Sequence, residues 1–308
     1  MKLSICVPVY KSETILEKFV ETIQKEVNFV SDMELILIND CSPDNSWEKI
    51  VKLKQKYDFI VGVNLIKNFS QHNAVMAALN EASGDIIITM DDDLQHNPAD
   101  IVKLYNQIIN EKFDVCYTKF LNREHKRWKV WGSKFNDMVA NLLIDKPKDL
   151  YLSPFRAMTK QVRDFIISYD GPYPYVDGLI LSVTNNIGVV EVEHNKRFEG
   201  EGNYSFVKSV SLWTKMATGF SVLPLRLATY VGLIVSFSAF LFGIVLILNK
   251  LIFGVSLVGW TSTIVIILFL GGIQLMTLGI LGEYIGRIYL KLNGKKQFII
   301  KEKTDARV

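Results

Sequence analysis

The chain has 308 residues and a formal net charge of +3, too small a surplus to argue for nucleic acid as a partner. Its length exceeds what one compact core needs, so one large domain plus an extra module is expected. Hydrophobic residues make up 49% of the chain and mean hydropathy is +0.19, high for a soluble protein, with the excess falling after about Pro224. Cys6, Cys41 and Cys116 are odd in number and widely spaced. They match neither a disulfide framework nor a zinc site, and buried thiols in a reducing compartment are expected.

Leu3 to Val7 reads as a first strand that ends in Pro8-Val9-Tyr10. With Met1 and Lys2 it is too short and too soon interrupted for a signal peptide. Thr14-Ile-Leu-Glu17 has capping-box spacing and opens a helix with Ile15, Phe19, Val20 and Ile23 on its apolar face. Glu34 to Ile38 is the next strand, ending in Asn39-Asp40. Turn residues Ser42 to Ser46 lead into a helix from about Trp47. A third strand over Ile60 to Ile66 ends in Lys67-Asn68, and a helix to about Ala82 follows. The run Ile86-Ile-Ile-Thr-Met90 then stops in Asp91-Asp92-Asp93. Pro98 opens another helix, and Val115 to Tyr117 is a short further strand.

Strands alternating with helices predict an α/β domain, a parallel sheet covered on both faces. In such sheets ligands bind beyond the carboxyl ends of the strands. Here four strands end in Pro8/Tyr10, Asn39/Asp40, Asn68 and Asp91/Asp93. Carboxylates one residue apart at a strand exit can reach one hard cation such as Mg²⁺ or Mn²⁺, although a solvated acidic turn has the same composition. Asp92 is expected to point the other way, because alternate residues of an extended segment face opposite sides. No G-x-G-x-x-G and no G-x-x-x-x-G-K-[ST] is present, so neither a dinucleotide fingerprint nor a Walker loop accounts for the pattern.

After Phe206 the character changes. Apolar residues mixed with Lys208 and Lys215 suit a helix in a membrane interface. Ala228 to Leu248 is uncharged, and 21 residues at ~1.5 Å each span roughly 31 Å, the thickness of a hydrocarbon core. Thr261 to Leu281 is a second such segment. Arg226 precedes the pair, Arg287, Lys291, Lys295 and Lys296 follow it, and the intervening loop carries only Lys250. The positive-inside rule then predicts a multi-pass protein with both ends in the cytoplasm. Gln297-Phe-Ile-Ile-Lys301 is a candidate edge strand, for its own sheet or for that of another subunit.

Val7-Pro8-Val9-Tyr10, Ile38-Asn39-Asp40-Cys-Ser42-Pro-Asp44, Lys67-Asn68-Phe69 and Met90-Asp91-Asp92-Asp93-Leu94-Gln95 resemble the successive motifs of family 2 glycosyltransferases with the GT-A (Rossmann-like) fold. More narrowly, the chain resembles the polyprenyl-phosphate glycosyltransferases. The resemblance implies a catalytic domain over 1–204, an interfacial helix over 205–224, two transmembrane helices within 225–288 (about 228–248 and 261–284) and a tail over 289–308. It implies a nucleotide-sugar donor, with UDP preferred, bordered by Pro8, Tyr10, Asp40, Asn68 and Asp91. It implies Mg²⁺ or Mn²⁺ on Asp91, Asp93 and Gln95, and a polyprenyl (undecaprenyl) phosphate acceptor held by Arg123, Arg127 and Arg197. Asp91, Asp93 and Arg156 are the catalytic candidates, Arg156 from the retained Phe155-Arg156 pair, whose usual preceding acid is replaced by Pro154.

The implied reaction is an inverting transfer of a single sugar for cell-envelope glycan modification. Its implied setting is a bacterial-type cytoplasmic membrane, in a homo-oligomer. A polysaccharide or lipid-headgroup synthase of the same fold, or a catalytically silent nucleotide-sugar-binding membrane scaffold, are the alternatives.

Overall fold

A computed structural model describes residues 1–120, 146–147, 150–192, 222–253 and 259–304. Contacts divide the chain into Met1–Ser209 with Lys295–Val308, and Val210–Gly294. The first unit opens with β1 (Leu3–Val9), α1 (Leu16–Glu26), β2 (Met33–Asn39), α2 (Ser46–Lys56), β3 (Ile60–Leu65), α3 (Gln71–Glu81) and β4 (Ile86–Thr89). A 3₁₀ turn at Pro98–Asp100 leads into α4 (Ile101–Asn110), then β5 (Val115–Phe120), β6 (Arg156–Thr159), α5 (Lys160–Ile167), α6 (Val176–Val183) and β7 (Ile187–Val192). After α7 (Leu223–Phe253) and α8 (Trp260–Leu292) of the second unit, β8 (Ile300–Lys303) rejoins the first.

The eight strands form one sheet in the order β7-β5-β6-β4-β1-β2-β3-β8. Its centre, β4-β1-β2-β3, is parallel, as the alternating pattern predicts. The whole sheet is mixed, however, because β6 and β8 run antiparallel to their neighbours. The strands of the centre are near-continuously apolar because both faces are covered. Leu3, Ile5, Val7 and Val9 of β1 share one core with α1, α2 and α4. α3 packs on β1 and β2, against the alternate residues, with Asn73 to Leu79 all buried.

Helix α1 buries Leu16, Phe19, Val20 and Ile23, a spacing that lines one face. Each such side chain stabilises the fold by about 1.5–3 kcal/mol. Its first turn departs from the sequence expectation. The N-cap is Ile15, without a side-chain cap, so the Thr14 capping box does not form. Instead the Ser12 carbonyl accepts from the N–H groups of Ile15 and Leu16. Ser4 and Glu34, polar residues on adjacent central strands, satisfy each other at 2.6 Å, and Gly84 N–H donates to Ser4 Oγ at 2.8 Å.

Cys6 and Cys116 are buried as expected, but Cys41 is exposed, because it occupies the turn beyond β2 with φ +51°. The tail does supply an edge strand, and that strand, β8, pairs with β3 of its own chain. In the second unit, Leu223–Val245 and Phe269–Leu292 are long and apolar enough to cross a membrane, and neither is buried within the protein. Leu233, Ile234, Phe237, Phe240, Leu275 and Met276 are all exposed there.

Candidate active site

The order β4-β1-β2-β3 places the chain reversal between β4 and β1, the switch point at which α/β sheets leave a crevice. A cavity of about 330 Å³ opens there, lined by Pro8, Val9, Tyr10, Asp40, Asn68, Ser70, Gln71, Ala74 and Asp91 to Asp93. Each of the four strand exits bends through a non-glycine residue in the left-handed region: Lys11 (φ 59°), Cys41 (φ 51°), Ser70 (φ 76°) and Leu94 (φ 56°). Such conformations cost on the order of 1–3 kcal/mol each and persist only where surrounding contacts enforce them. Four in one rim mark the place where the fold gives up local comfort to aim side chains.

Those contacts are specific. Both oxygens of Asp40 accept backbone N–H groups, from Phe69 at 2.7 Å and Ser70 at 3.0 Å. Asn68 Nδ2 donates to the Asp40 carbonyl at 3.2 Å. Asp40 thus binds the β3–α3 turn to the β2 exit while facing the cavity, and its second lone pairs remain able to accept from a ligand. Burial pushes its carboxyl up, opposed by those two N–H bonds. Lys11 N–H donates to Ser42 Oγ at 2.7 Å, which ties the β1 exit to the same turn.

The aspartate run divides its work. All three line the cavity, but their partners differ. Asp91 Oδ1 accepts from Gln71 Nε2 at 2.7 Å, and Asp93 Oδ1 accepts from Gln95 N–H at 3.1 Å. Asp92 turns inward to a side-chain hydrogen bond with Ser12, and its pKa is pushed up to about 7, chiefly by burial and further by the charges of Asp91 and Asp93. Its Oδ2 is buried with no hydrogen-bond partner. The bend therefore carries concentrated negative charge.

Among the described residues, no group of three His, Cys, Asp or Glu side chains is set to enclose a metal ion. Asp91 and Asp93 both line the cavity, and two carboxylates are what they could offer a cation. That suits a hard cation which keeps waters and completes its shell with ligand phosphates, and the concentrated charge fits the same group.

The cavity brings together six of the expected residues: Pro8, Tyr10, Asp40, Asn68, Asp91 and Asp93. Gln95 lies outside its lining. Arg156 does too: it is 3% exposed, ion-paired with Asp177, and its guanidinium lies 5.6 Å from the centre of the Tyr117 ring. Tyr117 Oη donates to the same Asp177 oxygen at 2.9 Å. Burial alone would lower the Arg156 pKa, but the Asp177 carboxylate together with Tyr117 and Tyr175 outweighs this and raises it. Arg123, Arg127 and Arg197 lie outside the described residues. Gln71 and Ser70 escaped sequence reading; the available signal was a polar residue opening the helix just after a site-bearing strand.

The family profile "Glycosyl transferase family 2" matches residues 4–170. The chain belongs to glycosyl transferase family 2. This glycosyltransferase is also 31% identical, over 98% of its length and 93% of the relative's, to the undecaprenyl-phosphate 4-deoxy-4-formamido-L-arabinose transferase of Proteus mirabilis. It is 31% identical, over 98% of its length and 99% of the relative's, to the prophage bactoprenol glucosyl transferase homolog of Escherichia coli.

A solved structure of glucosyl-3-phosphoglycerate synthase from Mycobacterium tuberculosis, in complex with Mn²⁺, UDP-glucose and phosphoglyceric acid, matches with a TM-score of 0.50. That match covers 70% of this chain and 77% of the other at 15% identity. The glycosyltransferase therefore has a GT-A-like α/β sheet, followed by two apolar helices.

Proposed function

We propose that this enzyme transfers a single sugar from a nucleotide-diphosphate donor, preferably a UDP-sugar, to undecaprenyl phosphate at a membrane surface. The observation that carries the reading is the pairing, in one chain, of the cavity at four strand exits with two exposed apolar helices long enough to cross a bilayer. The near full-length similarity to relatives named for undecaprenyl phosphate and bactoprenol supports the same acceptor.

Pro8, Tyr10, Asp40 and Asn68 border the nucleotide in this reading, and Asp91 and Asp93 are the residues that would hold Mg²⁺ or Mn²⁺. That ion supplies charge stabilisation for the departing nucleotide. Arg123, Arg127 and Arg197 are the proposed cradle for the acceptor phosphate, since arginine binds phosphate bidentately. A phosphate monoester has a second pKa of roughly 6, so its oxygen attacks the anomeric carbon already ionised. Pro154 in place of an acid is then no obstacle. The carbon–oxygen bond to the donor breaks as the new one forms on the opposite face, with inversion. The cationic residues Arg226, in the first turn of α7, and Arg287 and Lys291, in the last turns of α8, favour a cytoplasmic catalytic domain.

The test is a transfer assay with the full-length protein in detergent, undecaprenyl phosphate, Mg²⁺ or Mn²⁺, and a panel of radiolabelled nucleotide sugars. A lipid-linked product that disappears with EDTA, and falls ~10²-fold or more in Asp91→Ala, is the expected result. Folded protein that binds UDP yet labels no lipid from any donor would overturn the acceptor assignment, and undiminished transfer by Asp91→Ala would overturn the metal role.

A further inference from the structure

We propose that β8 is part of the frame of the nucleotide site, and that Glu302 is a positioning residue for it. The inference rests on reading the cavity as the donor site. A line of buried amides joins the two. Asn64 Nδ2 donates to Glu302 Oε1 at 2.8 Å. Asn39 Nδ2 donates to Asn64 Oδ1 at 2.8 Å. Ser42 N–H donates to Asn39 Oδ1 at 3.4 Å. The line crosses β8, β3 and β2 in turn and ends in the 39–42 bend, where Asp40 faces the cavity.

Its direction is set at one end. A carboxylate only accepts, whereas an amide offers a donor face and an acceptor face. Glu302 therefore forces Asn64 to present its NH₂ outward along the sheet and its oxygen to Asn39. Asn39 must then turn its own NH₂ to Asn64, which leaves its oxygen for the Ser42 N–H. Reversal of the line would set the Asn39 NH₂ against that N–H. Ser42 Oγ, oriented by its own donation to Asp44 Oδ1, accepts from Lys11 N–H, so the same bend also touches the β1 exit beside Tyr10.

Asn39 and Asn64 are 3% and 6% exposed, so water cannot readily correct a mismatch at either. The bend also carries Cys41 at φ +51°, a conformation that needs such outside support. Other tail contacts do not join this line: Lys303 Nζ reaches both oxygens of Glu81 at 2.7 and 2.8 Å, and Lys295 Nζ reaches Tyr173 Oη at 2.9 Å.

The experiment compares Glu302→Lys, Glu302→Gln, Glu302→Ala and Lys303→Ala with the wild type, all as full-length protein in detergent. UDP and GDP binding is read by calorimetry, donor KM and kcat by transfer, and folding by thermal melting. Glu302→Lys sets a donor against a donor and is expected to weaken nucleotide binding and raise donor KM by about tenfold, with kcat within about twofold. Glu302→Gln can still accept through its amide oxygen and is expected to restore most of the affinity. Glu302→Ala, where water reaches the vacated position, is expected to fall between them. Lys303→Ala removes a tail contact outside the line and is expected to bind as the wild type does.

Wild-type nucleotide affinity in both Glu302→Lys and Glu302→Ala overturns the inference. So does equal weakening in Glu302→Lys and Lys303→Ala, which would reduce β8 to general strand docking. Should Glu302→Lys fail to fold, Glu302→Ala against Glu302→Gln decides by the same criterion. Wild-type protein that binds neither nucleotide would remove the donor-site reading itself, a result distinct from a variant that leaves binding intact.

Discussion

Gln71 Nε2 donates to Asp91 Oδ1 at 2.7 Å, fastening the first residue of α3 to the exit of β4. A hydrogen bond to one carboxylate oxygen fixes the orientation of the other. Gln71→Leu removes this bond from Asp91, and the loss of one such bond corresponds to roughly three- to tenfold. The expected outcome is a rise of that size in the Mn²⁺ concentration giving half-maximal transfer, with little change in melting temperature. Gln71→Glu places a second negative charge there and is expected to do more harm. A Mn²⁺ titration identical in wild type and both variants would remove Gln71 from the site.

Arg156 and Asp177 form a buried ion pair beneath Tyr117. Removing one member of such a pair strands the other, at a cost of about 3–5 kcal/mol. Arg156→Met is therefore expected to lower stability by that amount in denaturant titration. Arg156→Met with Asp177→Leu is expected to recover most of the loss, because neither charge is then left behind. A single variant of wild-type stability that nevertheless loses transfer would place Arg156 in the chemistry.

Gly84 sits where a Cβ would meet Ser4 Oγ at 2.6 Å, and Lys2 O and Ser4 N at 2.8 Å. Two of those atoms are backbone at the start of β1 and cannot step aside. Gly84→Ala is expected to destabilise by about 1–3 kcal/mol, measured as a shift of the unfolding midpoint. Gly62→Ala, whose Cβ would press on Ile50 and Thr304 side-chain methyls, serves as a comparison at a site better able to yield.

Glu34 should govern part of the acid response. Burial raises its pKa, but Lys2, Ser4 and Ser83 together hold it below the ordinary value of 4.5. A carboxyl whose folded pKa lies under its unfolded one contributes stability that is present above about pH 4.5 and lost as pH falls through the folded value. The wild type is thus expected to lose stability below pH 4.5. Glu34→Gln is expected to be less stable at pH 7 but to show a shallower decline in acid. Parallel pH–stability curves for the two would dismiss the assignment.

Local pattern carried much of the site. Apolar runs that stop in Asp40 and Asp91 mark strand exits wherever they occur, and parallel sheets leave such exits on one side, so both residues could be assigned to one crevice before any coordinates. Arg156 shows where that logic ends. Its motif suggests chemistry, yet Asp177 lies 21 residues on in sequence, and only folding brings the two together. Gln71 was equally silent, since nothing in a polar residue at a helix start says which carboxylate it will meet. The same holds for β8: four residues of middling hydropathy carry no record of which sheet edge they will join.

The sequence by itself determined the alternating β/α order, the aspartate-bearing strand exits and the two apolar spans, because periodicity, charge and length act over neighbouring residues. The tertiary structure decided that β6 and β8 run antiparallel, that Arg156 is buried against Asp177, and that Glu302 meets Asn64 across 238 positions. Those outcomes depend on hydrogen-bond complementarity between distant segments. No short window of the chain contains both partners.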